Sequence, residues 1–263
     1  LAENEIAPDE NIPMERVMAL MENDHIMGMS VLTWENTQQA MWGRVQDIYH
    51  ADADLYLGEL EAASKLGPGT LELRPDLEIP QYASYEIHLQ PGGYVGDEFA
   101  GYIYVHGENI VFRNGNYQDD LQVALARRVP APKDGRIQRV LEQGCSSGQF
   151  TLALKKKWPE AEVWGTDVAA PMIRYAHMRS VELGLETHYL QELNEDSQFP
   201  DDHFDVVTNN LLFHEVPAKI ARGIIEEALR TLRPGGVFYP IDLFTGNPPN
   251  ETAFGKFWRS EEH

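Results

Sequence analysis

Two patterns of apolar and polar positions divide this 263-residue chain. From residue 139 onward, short apolar runs alternate with stretches whose apolar residues recur every three to four positions. The runs predict strands at Val140–Glu142, Val163–Asp167, Asp205–Thr208 and Val237–Asp242. The stretches between them predict helices at Gln149–Lys157, Pro171–Leu183 and Ala218–Leu232. Pro171 suits the first turn of its helix, and Arg233-Pro234-Gly235-Gly236 stops the last one. Such alternation predicts an α/β fold: a doubly wound, mostly parallel sheet with helices on both faces.

Upstream the pattern changes. Residues 14–66 read as mainly helical, with Met14, Met18 and Met21 at i, i+4, i+7 spacing and few breakers across Gln38–Lys65. Tyr82–Leu89 and Tyr102–His106 alternate as strands do, with Asn109–Asn114 a candidate third and glycines between them as turns. The Pro- and Gly-bearing segment Val129–Arg136 separates the two patterns. It places an α+β domain over 1–130 and the α/β domain over 131–263.

Composition narrows the function. Hydrophobic residues at 43% and aromatic residues at 10% describe a chain that buries a core. The net charge of −21 is uneven: residues 1–130 carry 22 acidic against 7 basic side chains, and residues 131–263 carry 20 against 14. That surface repels phosphate backbones, so no nucleic-acid partner is expected. The basic runs Lys155–Lys157 and Arg127-Arg128 are too short to reverse this. No apolar run approaches the roughly 20 residues that span a bilayer, and the opening LAENEIAPDE lacks signal-peptide character. One cysteine, Cys145, excludes an intrachain disulfide. A cytoplasmic protein without membrane contact is the expectation.

The candidate chemistry begins at residues 139–148, RVLEQGCSSG, an apolar strand entering a glycine-rich turn. A dinucleotide fingerprint starting at Gly144 would want glycines at 146 and 149, where this chain has Ser146 and Gln149. The close backbone approach that a pyrophosphate requires is therefore not provided. A phosphate-free nucleoside needs less: a carboxylate at a strand end to hold the ribose hydroxyls, for which Asp167 is placed. Glu142, just before the turn, can reach an amino-acid moiety directly or through water.

Four motifs in order carry a resemblance. Glu142–Gly148 (Glu-x-Gly-x-x-x-Gly), Gly165-Thr166-Asp167-Val168, Phe199–Asp205 (FPDDHFD) and Leu232–Gly236 (LRPGG) resemble those of class I S-adenosylmethionine-dependent methyltransferases. The likeness is to the quinone-biosynthesis and small-molecule group, over roughly 105 residues. It implies S-adenosylmethionine as cofactor. Gly144, Cys145 and Gly148 would line its methionine and ribose portion, Asp167 would bind the ribose, and Val168 and Met172 would flank the adenine. The adenine cap falls in Gln191–Asn194, with Glu192 or Leu193 as candidates. Asn209 could hydrogen-bond cofactor or substrate, as could Asn210, although asparagines at strand ends often only satisfy the turn backbone. Proteins of this fold usually add an antiparallel hairpin after the fifth strand. The 21 residues after Asp242 are too few for it at ordinary element lengths, so the carboxy terminus is expected to be incomplete.

Methyl transfer from a sulfonium is an in-line displacement, and positioning alone can be worth roughly 7–11 kcal/mol. A proton-bearing acceptor also needs a base. His214, after the strand Asp205–Thr208, is the candidate; the alternative is a packing or capping histidine partnered by Glu215. Cys145 lies where the turn needs a small residue, and a nucleophilic role is rejected.

Eight of eleven tyrosines lie within residues 49–117. Tyr82, Tyr85, Tyr94, Phe99, Tyr102 and Tyr104 either cover a flat, apolar small-molecule substrate or pack the segment onto its own helices or a second subunit. A homodimer is thus in view. His88, His106 and Glu108 form a metal-like set only if a hairpin brings them together, and His50, Asp52 and Asp54 share no helix face. No metal is expected. The function expected is methyl transfer to a small aromatic or apolar molecule at O, N or C. The same fold put to a non-methylating reaction such as cyclisation, or non-catalytic cofactor binding, is the alternative.

Overall fold

The computed structural model describes residues 10, 12–21, 24–111 and 115–243. The chain separates into two compact units, Leu1–Met41 with Leu243–His263, and Trp42–Asp242. The segment Val129–Arg136 thus lies inside the second unit. Helices occupy the amino-terminal stretch: α1 (Met14–Met21), α2 (His25–Ala51) and α3 (Ala53–Ala63). In the first unit Ile12, Val17 and Met21 are buried, with Met14 and Met18 packed against them, as the i, i+4, i+7 spacing requires.

The second unit is built on a six-stranded parallel sheet: β1 (Gly69–Glu72), β2 (Arg139–Gln143), β3 (Glu162–Asp167), β4 (Thr187–Gln191), β5 (Phe204–Asn210) and β6 (Leu232–Ile241). Their spatial order is β1-β4-β3-β2-β5-β6. Helices α6 (Gln149–Lys157), α7 (Ala170–Leu183) and α8 (Ala218–Thr231) make the crossovers. Central strands buried on both faces need apolar side chains on both. Val140, Val163 and Val206 pack with Phe150, Ala153 and Leu154 of α6. Their neighbours Leu141 and Val207 pack with Ala228 of α8 on the other side. From β2 the chain winds through β3 and β4 toward one edge, then returns to place β5 and β6 on the other. The order reverses between β2 and β5, which opens a crevice beyond their carboxyl ends.

Two strands, β1 and β4, were not predicted. Thr187–Gln191 is short and interrupted by His188, and Gly69–Glu72 is four residues long, paired to β4 in parallel register from Gly69↔Thr187 to Glu72↔Leu190. The residue pattern of 1–130 therefore supplies an edge strand to the sheet of the second half.

The tyrosine-rich strands do not form. Gln81–Ala83 and Ile87–Leu89 are single 3-10 turns, and Tyr102–His106 lies inside α4 (Ala100–Val111). Its alternating aromatic and β-branched residues suit a strand, but tertiary packing decided otherwise. Ala100, Ile103 and Gly107 recur at helical spacing and are buried. At Gly107 a Cβ would lie 2.0 Å from the Trp42 ring, so only glycine lets the two helices approach. A further short helix, α5 (Asp120–Ala126), packs beside α6, where Lys157 donates to the Ala126 and Val129 carbonyls. Of Asn109–Asn114, residues 109–111 are helical and the rest lie outside the described residues. The expected carboxy-terminal truncation concerns residues 244–263, also outside them.

Candidate functional site

The crevice between β2 and β5 is a cavity lined by residues from both halves of the chain. β2 delivers Glu142 to its floor, 2% exposed, where the Thr151 hydroxyl of α6 donates to Oε2. Burial pushes the Glu142 carboxyl well above its ordinary range; the Thr151 hydrogen bond opposes this, and the charge of Asp167 adds to it. The turn follows. At Gly148, the amino end of α6, φ is +77°, and a Cβ would sit 2.6 Å from that of Ala176 and 2.8 Å from the Tyr189 hydroxyl. Gly148 is accordingly a packing glycine beneath the site, while Gly144, Cys145 and Ser146 form the wall. Cys145 is buried, its amide donating to the Thr166 carbonyl at 2.9 Å, and burial pushes its thiol up. That suits a spacer, not a nucleophile.

Asp167 ends β3 across the turn. Its Oδ2 accepts from the Ser146 amide at 2.8 Å and its Oδ1 from the Ala169 amide at 2.9 Å. Burial outweighs these hydrogen bonds and pushes its carboxyl up to about 6. Val168 lines the cavity beside it, but Met172 does not: it is fully buried against Ala100 and Ala169. Glu192 and Leu193 also lie off the wall. Glu192 extends the β4 edge, its amide donating to the Asp167 carbonyl at 3.1 Å. Its carboxylate closes its own loop, accepting from the Gln198 amide at 2.9 Å and the Ser197 hydroxyl at 3.1 Å, and burial pushes it up to about 7. The chain leaves the sheet only after this, so Asn194 and Glu195 reach the cavity instead. Pleat parity likewise takes Asn209 off the wall: successive β5 side chains alternate, and Asn210 faces the cavity while Asn209 is buried behind it.

His214 stands on a 3-10 turn, Phe213–Glu215, just beyond β5. Asp242, following β6, fixes that turn twice: Oδ2 accepts from the Phe213 amide and Oδ1 meets His214 Nδ1, both at 2.6 Å. Glu215 is a more distant neighbour, its Oε1 lying 3.9 Å from His214 Nε2. The partner that orients the ring is therefore Asp242, which sequence proximity does not suggest. Glu215 also approaches His88 Nε2 at 3.3 Å and accepts from the Tyr94 hydroxyl at 3.5 Å. His88 reaches this point from a backbone with φ +55°, outside the comfortable region for a non-glycine residue.

The metal-like set weighed for His88, His106 and Glu108 does not come together among the described residues: no hairpin forms there, and His106 Nδ1 pairs with the Tyr49 hydroxyl at 3.2 Å. The donors of His88, His214 and Glu215 come within 4.8 Å of one another instead. The aromatic group divides in two. Tyr102 joins Tyr49, Tyr56 and Tyr175 in a ring cluster that packs α2, α3 and α4 onto α7, Phe99 belongs to its edge, and Tyr85 is exposed. Tyr82, Tyr94 and Tyr104 line the cavity. Tyr82 closes one rim by donating to Glu195 Oε1 at 2.5 Å.

Against known proteins, residues 140–236 match a protein-family profile described as a methyltransferase domain. That stretch of the chain is therefore similar to methyltransferase domains, in line with the parallel sheet and its crossover helices. Demethylmenaquinone methyltransferase of Thermus thermophilus is 34% identical over 122 residues, 46% of this chain and 53% of that protein. Trans-aconitate 2-methyltransferase of Rhodopseudomonas palustris is 35% identical over 129 residues, 47% and 48% respectively. The chain spans about half the length of the curated relatives it matches. Among solved structures, the YcgJ protein of Bacillus subtilis aligns over 46% of this chain and 50% of its own at 26% identity, with a TM-score of 0.40. Among the described residues no helix is long and apolar enough to cross a membrane.

Proposed function

We propose that the methyltransferase domain uses S-adenosylmethionine to methylate a small molecule, with His214 as the base. The observation that carries this reading is the arrangement of buried polar groups around one cavity. Glu142 and Asp167 present carboxylates at adjacent strand ends, and the side chains of Ser146 and Asn210 present buried oxygens, Oγ and Oδ1, with no hydrogen-bond partner among the described residues. Buried polar groups left this way ask for a ligand that satisfies them. A nucleoside with ribose hydroxyls and cationic centres fits that set better than a pyrophosphate does. When bound, S-adenosylmethionine supplies a methyl group on a sulfonium sulfur.

The chain's own residues do the rest. Asp167, held by two backbone amides, keeps a fixed orientation toward the ribose. Glu142 holds the amino group of the methionine moiety. Asp242 fixes His214 so that Nε2 is the nitrogen that takes the acceptor's proton. Residues of the amino-terminal part, among them Tyr82, Tyr94 and Tyr104, cover the site, exclude water and contact the acceptor. The names of relatives, which specify a quinone precursor, trans-aconitate and fatty acids, support a small-molecule acceptor.

Calorimetric titration with S-adenosylmethionine and S-adenosylhomocysteine tests this reading. We expect binding by the parent protein and at least tenfold weaker binding by Asp167→Ala at equal thermal stability. A folded parent protein that binds neither compound refutes it.

A further inference from the structure

Two histidines and a carboxylate meet at the carboxyl end of β5. His88, His214 and Glu215 all line the cavity, and their donor atoms lie within 4.8 Å of one another. Glu215 Oε1 stands 3.3 Å from His88 Nε2 and 3.9 Å from His214 Nε2. Ligand atoms held about 2.1 Å from a tetrahedral zinc ion are about 3.4 Å apart, so side-chain shifts of about 1 Å complete the set. Two further features of the structure point to an ion. Asp242 Oδ1 meets His214 Nδ1 at 2.6 Å. A carboxylate only accepts, so in the neutral imidazole Nδ1 carries the proton and Nε2 presents its lone pair on the Glu215 side. A cation between these two acceptors satisfies both, and a carboxylate behind the imidazole is the usual support of a ligating histidine. His88, for its part, is brought there on a left-handed backbone, φ +55°, which a non-glycine residue keeps only where its surroundings over-determine it.

We propose that His88, His214 and Glu215 bind one divalent transition-metal ion of the zinc class. Two imidazole nitrogens and one carboxylate oxygen suit zinc and its first-row neighbours. They reject magnesium, which keeps oxygen ligands in near-ideal octahedral geometry. Three protein ligands leave a fourth position, open to the cavity, for water or a small oxygen or nitrogen ligand. Of the set weighed from the sequence only His88 belongs to the site. His88 lies on the 3-10 turn Ile87–Leu89 and the other two ligands on Phe213–Glu215, so the ion joins the segment before α4 to the end of the sheet. On the methyl-transfer reading, which ion binding itself does not need, the ion and the acceptor's proton compete for one lone pair on Nε2. The loaded protein then does not use His214 as its base.

The test uses the whole chain, stripped of metal by a chelator and free of cofactor. Zinc affinity is read by competition with a chromophoric chelator, and cobalt(II) supplies a visible spectrum that reports its coordination. We expect one zinc per chain, undisturbed by an excess of magnesium. His88→Gly removes a ligand and relieves the left-handed backbone. Without zinc it should melt no lower than the parent, yet it should bind zinc at least about a hundredfold more weakly and lose the cobalt spectrum. Glu215→Gln, nearly isosteric, should weaken zinc at least about tenfold, and Asp242→Asn about tenfold through His214. Hydrogen exchange across Ile87–Gly93 should slow when zinc binds the parent and stay unchanged in His88→Gly. Several weakly held ions per chain that ignore these substitutions would place zinc on surface carboxylates and overturn the proposal. So would a folded parent that binds no zinc, which would leave the three side chains a hydrogen-bonded cluster. Because no arm contains S-adenosylmethionine, failure here and failure of the cofactor reading are seen separately.

Discussion

Glu142→Gln separates a cofactor-binding carboxylate from one that serves only the fold. In the protein this group is 2% exposed, takes a hydrogen bond from the Thr151 hydroxyl, and has no lysine or arginine paired with it among the described residues. Glutamine is nearly isosteric and keeps an acceptor for Thr151, so the substitution chiefly removes a buried charge. Leaving a charged group buried without a counter-ion costs at least about 1–3 kcal/mol, and removing that cost raises the melting temperature by roughly 2–4 °C per kcal/mol in a domain this size. The pH sign follows from the raised carboxyl. The folded protein holds this proton more tightly than the unfolded chain. Its stability therefore falls as pH rises from the ordinary glutamate value of 4.5 toward the folded value, and stays lowered above it. Asp167 adds the same trend between 3.8 and about 6. Glu142→Gln should accordingly melt higher than the parent, by about 3–10 °C, with the gap wider at pH 8 than at pH 5. Differential scanning fluorimetry with and without S-adenosylhomocysteine reads both halves of the argument, because the variant should also lose most of the ligand-induced shift. A variant that melts lower at pH 8 and keeps the full ligand shift would refute the reasoning and make Glu142 a structural group.

Three further outcomes follow from the geometry. His214→Ala should lower the rate of methyl transfer about 10²–10⁴-fold while cofactor affinity by calorimetry stays within twofold; Asp242→Asn should lower the rate less. Gly148→Ala places a Cβ 2.6 Å from Ala176 at a φ of +77°, so it should destabilise the domain by about 1–3 kcal/mol in urea unfolding and weaken cofactor binding by displacing the turn. Asp205 is buried and accepts from the Gln138 and Arg139 amides at 2.7 and 2.9 Å and from Arg233 Nε at 2.5 Å. Burial pushes its carboxyl up, but these donors outweigh it and hold it below the ordinary range. The stability it adds is thus present above the ordinary aspartate value and lost as pH falls through the lowered one. Asp205→Ala should cost about 3–5 kcal/mol near neutral pH by urea unfolding, and less in acid.

The sequence by itself determined four of the six parallel strands, the crossover helices between them, and three of the polar side chains that line the cavity. Strands with apolar residues on both faces, helices at 3.6-residue spacing and motifs spaced along them are local properties, which is why Glu142, Asp167 and His214 were legible. Parity and termination decided what was not. Asn209 and Glu192 lie one and two positions from the residues that face the cavity, because the pleat of β5 and the extra pairing of Glu192 are set by neighbouring strands. Only the tertiary structure turned Tyr102–His106 into helix, since Trp42 and Tyr175, against which its Gly107 and Gly101 pack, are distant in sequence. It likewise joined Asp242 to His214, 28 residues apart, and brought Tyr94 to the Glu215 carboxylate, 121 residues away. Local pattern fixes an element's type and its buried face; which side chains share a cavity depends on how those elements are stacked.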